Sequence, residues 1–495
     1  MPTHHDLLSA EPGLGADHEG GAAGLRQDPA SAPLPHRQAS PGGGAADAAH
    51  MRPRHLVMMA LGSAIGTGLF VGTGSAIALA GPAVLVSFLV ACVILVLVMR
   101  AMGEMAAAQP ARGAFSLYAE QAMGRTAGQT LGWLWWVQLV IVIAAEATAA
   151  AQILHELWPT VPQWTMALAF MTLFTALNLI SVKALGESEF WFALLKVGAV
   201  VVFLLLGAAL LLGLLPVASP GLGNLTGHGG FMPNGVTGVA AALLVVVFAF
   251  GGTELVTVAA AETQDPQRNI IRAIRTIVVR LLVFYVGSVT LMVLILPWND
   301  QGLSSSPFVA VLTEVGLPGA QAVMAVVIAV ALLSALNANL YGASRMLQSL
   351  SSRGSAPRRF SRLSAQGVPR AAVLASVLFG FVTVGLNYLW PEALLGFLLN
   401  TIGSTVLVVW TLSLISQIIL RRRADRAGQE LPFRMWAFPY LSYLALALIG
   451  VIFLLGLSDP VVRSQLGLTA GLVAAIAVLC KVLSPRTSPA AESLG

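Results

Sequence analysis

The sequence predicts an all-α polytopic membrane protein with twelve transmembrane helices, and three observations carry that prediction. First, its 495 residues are 57% hydrophobic and only 10% charged, with a mean hydropathy of +0.82. Soluble domains carry about 25% charged residues. Second, twelve apolar segments are long enough for a bilayer core, which needs roughly 20 residues per helix. They fall at about 55–79, 83–107, 128–156, 164–181, 190–215, 237–262, 275–297, 320–349, 370–389, 393–420, 438–457 and 467–484. Third, the basic residues alternate between gaps. The even gaps hold Arg112 and Arg125; Lys183; Arg268 and Arg272; Arg353, Arg358, Arg359 and Arg362; and Arg421, Arg422, Arg423, Arg426 and Arg434. The odd gaps hold only Arg463. The positive-inside rule then puts the even gaps and both termini in the cytoplasm of a multi-pass cell-membrane protein. A miscounted helix would invert every later gap and destroy the alternation.

Composition narrows the chemistry. The net charge is +5 and the pI about 9.6, but the basic residues lie between apolar runs. They orient the chain in a lipid bilayer rather than bind nucleic acid. Cys92 and Cys480 lie far apart and build neither a disulfide framework nor a metal site. None of the three lysines, Lys183, Lys196 and Lys481, follows a glycine, so no phosphate-binding G-K-[ST] loop exists. Any transport must then draw on a gradient or a partner. H-E-x-x-H and G-x-S-x-G are absent and no aspartate lies in the twelve runs, which argues against a membrane enzyme. No charge rings or repeated filter of a channel are visible. Neither a cofactor nor a metal is expected.

Residues 1–54 are rich in Gly, Ala, Pro, Ser and His and have no apolar run, so they read as a disordered cytoplasmic tail and not a signal peptide. The membrane domain is expected over 55–485, with a C-terminal cytoplasmic tail at 486–495.

The first segment contains Gly62-Ser63-Ala64-Ile65-Gly66-Thr67-Gly68, three glycines in seven positions. Each interior glycine costs a helix about 1 kcal/mol against alanine. Two readings follow. Gly62 and Gly66 form a small-xxx-small packing face, or the helix unwinds and its second half points free N–H groups at a carboxylate. The sixth segment has a second glycine pair in Phe248-Ala249-Phe250-Gly251-Gly252-Thr253-Glu254. Paired interruptions in corresponding segments point to a transporter's central site. Carbonyls of Phe248, Ala249 and Phe250 would then suit an ammonium group.

Glu146, Lys196 and Glu254 lie inside apolar runs. A charge at a helix centre costs roughly 2.5–3.5 kcal/mol on insertion scales, which favours a paired or functional role for the two glutamates. Lys196 has a second reading, since it can snorkel to the near end of its segment. Glu104, Glu262 and Arg280 sit nearer segment ends and read as structural. Groups held in poorly hydrated sites can exchange protons near neutral pH. In the eighth segment Ser334, Asn337 and Tyr341 share one face, and Asn400, Thr401, Ser404 and Thr405 make the tenth polar. Either set can bond helices together or line a path. Ser334 is carried forward as a proton-coupling candidate and Ser404 as a substrate-binding one.

From about His55 to Leu483 the chain resembles the amino acid–polyamine–organocation superfamily and, within it, the bacterial amino acid transporter family. The matching stretches are GSAIGTGLF (62–70), GEM (103–105), GESEFWFALLKV (186–197), FAFGGTEL (248–255), SPFV (306–309) and SRML (344–347). EATAAAQILHELWP (146–159), ELVTVAAAET (254–263), LYGASRMLQSLSSRG (340–354) and RMWAFPYLSYL (434–444) look like the γ-aminobutyrate permease branch, whose frame aromatic and proline permeases share. The resemblance implies a leucine-transporter-like fold: two inverted five-helix repeats plus two helices, with broken helices 1 and 6. It implies proton-coupled uptake of a free amino acid by alternating access. Gly62, Gly66 and Gly68 would hold the carboxylate, and Phe250, Gly251 and Gly252 the amine. Lys196 would stand where sodium-coupled relatives bind a cation, and Glu146 and Glu254 match acidic positions. Ala261 departs from the glycine many members carry. An exchanger swapping an amino acid for its decarboxylation product would use the same fold.

Overall fold

A computed structural model describes residues 65–483, except Arg112, Ser181, 261–264, 317–318 and Asp459. Gly62, Ser63, Ala64, Ala261 and Glu262, both tails, and the side chains of Lys183 and Asn400 lie outside the described residues. Among the described residues every regular element is helical. A π-helical turn, Gly68–Gly72, runs into α1 (Thr73–Ala80). The chain then turns at Gly81, whose φ of +63° suits glycine, and Pro82 opens the approach to α2 (Val84–Ala108). The other helices of six residues or more are α3 (Ala114–Met123), α4 (Arg125–Leu157), α5 (Gln163–Ile180), α6 (Val182–Leu211), α7 (Gly235–Ala249), α8 (Leu255–Ala260) and α9 (Pro266–Ile295). They continue as α10 (Pro307–Val315), α11 (Ala320–Ser352), α12 (Arg370–Leu389), α13 (Pro391–Arg426), α14 (Tyr440–Gly456) and α15 (Pro460–Leu483).

Nine helices among the described residues are long and apolar enough to cross a membrane, and Gly235–Ala249 and Tyr440–Gly456 are shorter apolar ones. Gly68–Ala108 counts as one of the nine and takes in parts of the first two predicted segments. Several helices outrun the apolar windows. α6 begins at Val182, not near 190, and α13 runs on to Arg426. Arg125, Arg268, Arg272, Arg421, Arg422, Arg423 and Arg426 therefore lie on helices rather than in gaps. Arg423 and Arg426 occupy the last turn of α13, where cations oppose the negative end of the helix dipole. α3 was not anticipated in its gap. It buries Phe115, Tyr118, Ala119 and Ala122 and packs on α4 and α13.

The core forms around α4, which packs against α3, α5, α11, α12, α13 and α15. Its Ala144, Ala145, Ala147, Ala149, Ala150 and Ala151 are all buried. Small side chains let helix backbones approach where lipid provides no hydrophobic drive between them. α15 is peripheral, and only 17% of its apolar window is buried.

Near one end, α2 and α13 are joined through Glu104. Its carboxylate accepts from Arg421 Nη1 at 2.8 Å, Gln417 Nε2 at 2.8 Å and the Met435 N–H at 2.5 Å. Glu104 is thus structural, as its position near a segment end implied. Glu104→Ala should cost about 3–5 kcal/mol, because Arg421 loses its buried partner and keeps only the exposed Asp425, while Gln417 Nε2 and the Met435 N–H lose their acceptor. A clear fall in the detergent melting temperature, with Asp425→Ala nearly silent, is the expected result. Close by, Arg353 Nη1 pairs with Glu120 at 2.5 Å. Burial pulls its guanidinium below the ordinary value and Glu120 opposes that shift.

Candidate functional site

The two glycine-rich stretches meet at the centre. The helix of Gly68–Gly72 opens with Leu69 and Phe70 N–H both donating to Gly66 O at 3.1 Å. Helix α7 ends at Ala249 and α8 begins at Leu255. Between them, Gly252 has φ of +93°, a conformation that demands glycine. Gly68 lies directly against Ala249, where a methyl would overlap the Ala249 backbone. Close approach, as well as any unwinding, thus explains that glycine.

Residues 65–67 are held by an acidic and a basic side chain. Thr67 N–H donates to Glu146 Oε1 and Oε2 at 3.2 Å each, and its hydroxyl donates to Oε1 at 3.2 Å. Two residues earlier, Ile65 O accepts from Lys196 Nζ at 3.2 Å, and the same ammonium donates to Ala331 O of α11 at 3.3 Å. The acid thus takes an N–H at a helix start, where a carboxylate is favoured, while the base takes a carbonyl. Lys196 is 1% exposed and lies fourteen residues into α6. The snorkelling alternative is therefore corrected. It assumed that α6 starts near 190, and the earlier start leaves the lysine roughly four turns deep.

Glu189 belongs to this group and was missed. It is fully buried, accepts from Ser334 Oγ at 2.6 Å and lies 3.5 Å from Asn337 Nδ2. Asn337 Oδ1 in turn accepts from Asn178 Nδ2 at 2.8 Å. The charges acting on Lys196 are those of Glu189 and Glu146. The available signal was spacing: seven residues, about two turns, put Glu189 and Lys196 on one face. Ser334 joins this cluster through Glu189.

Glu254 does not. Its carboxylate accepts from Gly252 N–H at 2.8 Å and from Trp410 Nε1, so it fastens the turn between α7 and α8 to α13. The carbonyls expected to be free are also accounted for in part. Phe248 O accepts from Gly251 N–H at 2.8 Å and Ala249 O from Tyr285 Oη at 2.6 Å. The Phe250 ring is buried against Tyr285 at 4.7 Å and Phe88 at 6.2 Å. Ser404 faces elsewhere. Its hydroxyl is 2.5 Å from Thr469 Oγ1 of α15, a helix-to-helix bond.

A cavity of about 20 Å³ lies between the two stretches. Gly66, Thr67 and Gly68 line one side, Phe248, Ala249, Gly251 and Gly252 the other, and Glu146, Gln138 and Asn339 complete it with apolar neighbours. It is large enough for about one water and far too small for an amino acid. Phe248 also borders a second cavity of about 340 Å³ that reaches Ser75, Leu399 and Gln465. Gln138 Oε1 and Asn339 Oδ1, on residues each 1% exposed, have no hydrogen-bond partner among the described residues. Such an oxygen costs about 1–3 kcal/mol.

Comparison with known proteins agrees with this architecture. The chain is 46% identical to an aromatic amino acid transport protein of Corynebacterium glutamicum, over 84% of this chain and 90% of that one. It is 42% identical to the γ-aminobutyric acid permease of Bacillus subtilis (87% and 92% covered) and 41% identical to that of Escherichia coli (87% and 93%). Among solved structures, a manganese transporter of Eremococcus coleocola superposes with a TM-score of 0.56 at 15% identity, covering 88% of this chain and 94% of that one. That likeness is one of fold. The family model for amino acid permeases matches residues 55–483, and the chain is accordingly a multi-pass membrane protein of the amino acid permease family.

Proposed function

We propose that this permease couples inward proton movement to uptake of γ-aminobutyrate or a related small amino acid, by alternating access. The observation that carries the reading is the clamp on residues 65–67, with Glu146 on the Thr67 N–H and Lys196 on the Ile65 carbonyl. A gain or loss of one proton at either group changes its grip on that stretch, which links protonation to the path past it. In this reading twelve helices span the bilayer as two inverted five-helix repeats plus two, with interruptions in the first and sixth. The membrane domain occupies 55–485, and the tails 1–54 and 486–495 are cytoplasmic. The substrate carboxylate takes the N–H groups at Thr67 and Gly68, within the stretch that begins at Ser63, Ala64 and Ile65. Lys196, Glu146 and Ser334 handle the proton together with Glu189. Glu254 keeps the second stretch, Phe248 to Gly252, in shape.

The 46% identity to an aromatic amino acid transport protein favours a second substrate reading, an aromatic amino acid. Radiolabelled uptake into proteoliposomes with an inward proton gradient separates the readings. The panel is γ-aminobutyrate, phenylalanine, proline, alanine and arginine. Accumulation of one compound that a protonophore abolishes is the expected result. Uptake that ignores the protonophore and needs preloaded amino acid would replace the symporter by an exchanger.

A further inference from the structure

A cavity of about 420 Å³ lies away from the central site, at the end of the bundle where α4 begins, α11 has ended and α15 stops. Gln129, Trp133 and Val137 recur every four residues as one stripe of α4, and Ile476, Leu479 and Cys480 share one face of α15. The turn from Gly354 to Pro357 makes the third wall. That turn is fastened to α4, since Gln129 Nε2 donates to Ser355 Oγ at 2.9 Å and Trp133 Nε1 to Ser355 O at 3.3 Å. The other side chains that line the cavity are apolar, apart from the Cys480 thiol. Leu479 is 56% exposed, on a helix that turns most of its apolar surface outward, so the cavity borders the lipid-facing side.

The same end carries positive charge without acids to answer it. Arg125 opens α4 one turn before Gln129, and a Cβ on Gly354 would lie 3.8 Å from its Nη2. Arg358 and Arg359 follow Pro357, Lys481 follows Cys480, and all three are exposed. None of the four has a carboxylate partner among the described residues. Glu120, which packs on Gly128 near the start of α4, is taken by Arg353. Membrane orientation accounts for charges at a helix end, but not for an apolar cavity that stops beside them.

We propose that this cavity holds an acyl chain of an anionic phospholipid whose headgroup rests on Arg125 and Arg358. A lipid supplies both halves at the depth where they occur: hydrocarbon along the apolar walls and negative charge at the membrane surface. The chain does not choose among lipids, because it leaves one hydrocarbon surrounding for another. The headgroup does. Lys and Arg at the membrane surface attract anionic lipid, and basic pockets between spanning helices bind such headgroups. A lipid seated there ties the peripheral α15 to α4 and to the turn after α11.

Trp133 provides the readout, because bromine on an acyl chain quenches tryptophan emission on contact. Full-length protein is reconstituted in phosphatidylcholine vesicles with rising fractions of brominated-chain phosphatidylglycerol or brominated-chain phosphatidylcholine. The quenching of Trp133 is the difference between wild type and Trp133→Phe. Half-quenching should need a roughly tenfold lower fraction of the anionic lipid, as two cations at the headgroup imply. Arg125→Gln combined with Arg358→Gln should bring the two lipids level, and Val137→Phe, which fills the cavity, should weaken quenching by both. Native mass spectrometry of protein extracted from phosphatidylglycerol-containing membranes checks the same point with Trp133 intact. Wild type should retain the anionic lipid and the double arginine variant should lose it. This comparison decides alone if Trp133→Phe does not fold. Equal quenching of wild type by the two lipids would overturn the proposal, as would retention that the double variant leaves undiminished. Trp133 that neither lipid quenches also overturns it, and a dimer measured by light scattering would then assign this face to a second copy of the chain.

Discussion

Lys196→Ala is expected to reduce accumulation in an imposed proton gradient to the level wild type shows with a protonophore. The physical argument has two parts. The lysine is the cation that holds Ile65 O and Ala331 O, so its loss frees the stretch before the Gly68 helix from α11. It is also the positive charge facing Glu146 and Glu189. Two buried carboxylates without that charge must take up protons or rearrange. Under the proposed coupling, either response removes the titration that drives accumulation. Exchange across equilibrated vesicles provides the folding control, because it needs the path but no net proton. Exchange that persists while accumulation disappears is the expected pattern. Accumulation equal to wild type would end the coupling role of Lys196.

Gly66→Val should eliminate measurable substrate binding. The glycine matters for space rather than for backbone conformation. A Cβ at Gly66 would overlap Glu146 Oε1 and come within 3.0 Å of Ala335 Cβ. The Glu146 carboxylate would have to leave the Thr67 N–H, and valine adds two further methyl groups in the cavity. Substrate-induced thermal stabilisation of purified protein, which scales with ligand concentration over affinity, should vanish. Gly198→Ala provides the contrast. A Cβ there meets nothing within 4 Å, and it lies two residues from Lys196 on the same helix. That variant should bind like wild type, and a helix-interior alanine should add a few tenths to about 1 kcal/mol of stability. Unchanged affinity in a well-folded Gly66→Val protein would reduce the glycine to a packing role.

The membrane class and the long helices were legible because hydrocarbon imposes a length and a composition on every span. Helix ends were less so. The apolar windows stop where polar residues begin, yet α6 and α13 continue through them, and this hid Glu189 just before the window at 190. The glycine stretches were visible as pattern, and the structure does set Gly66 and Gly68 beside Gly251 and Gly252. What occupies the neighbouring carbonyls was not visible. Tyr285 reaches Ala249 O from 36 residues away, a tertiary contact that no local spacing announces. The bond that Ser404 makes was hidden for a related reason. On a helix apolar on most faces, one serine does not reveal whether it turns to a cavity or to Thr469. Gln138 stood inside an apolar run of α4 and was passed over because it carries no charge, although an uncharged amide at that depth needs a partner just as firmly.

The carboxylate of Glu146 on the Thr67 N–H has a thermodynamic consequence for any anionic ligand that comes there. Such a ligand does not fill a vacant hole; it replaces a carboxyl group that is already seated. Loading becomes a swap of one carboxylate for another, with the hydrogen-bond inventory of the helix start nearly conserved. In such a swap hydrogen bonds are exchanged rather than added, so their net contribution is modest. Tight binding is a handicap to a carrier that must let go on the far side, and a resident understudy for the ligand keeps the release step as easy as the capture.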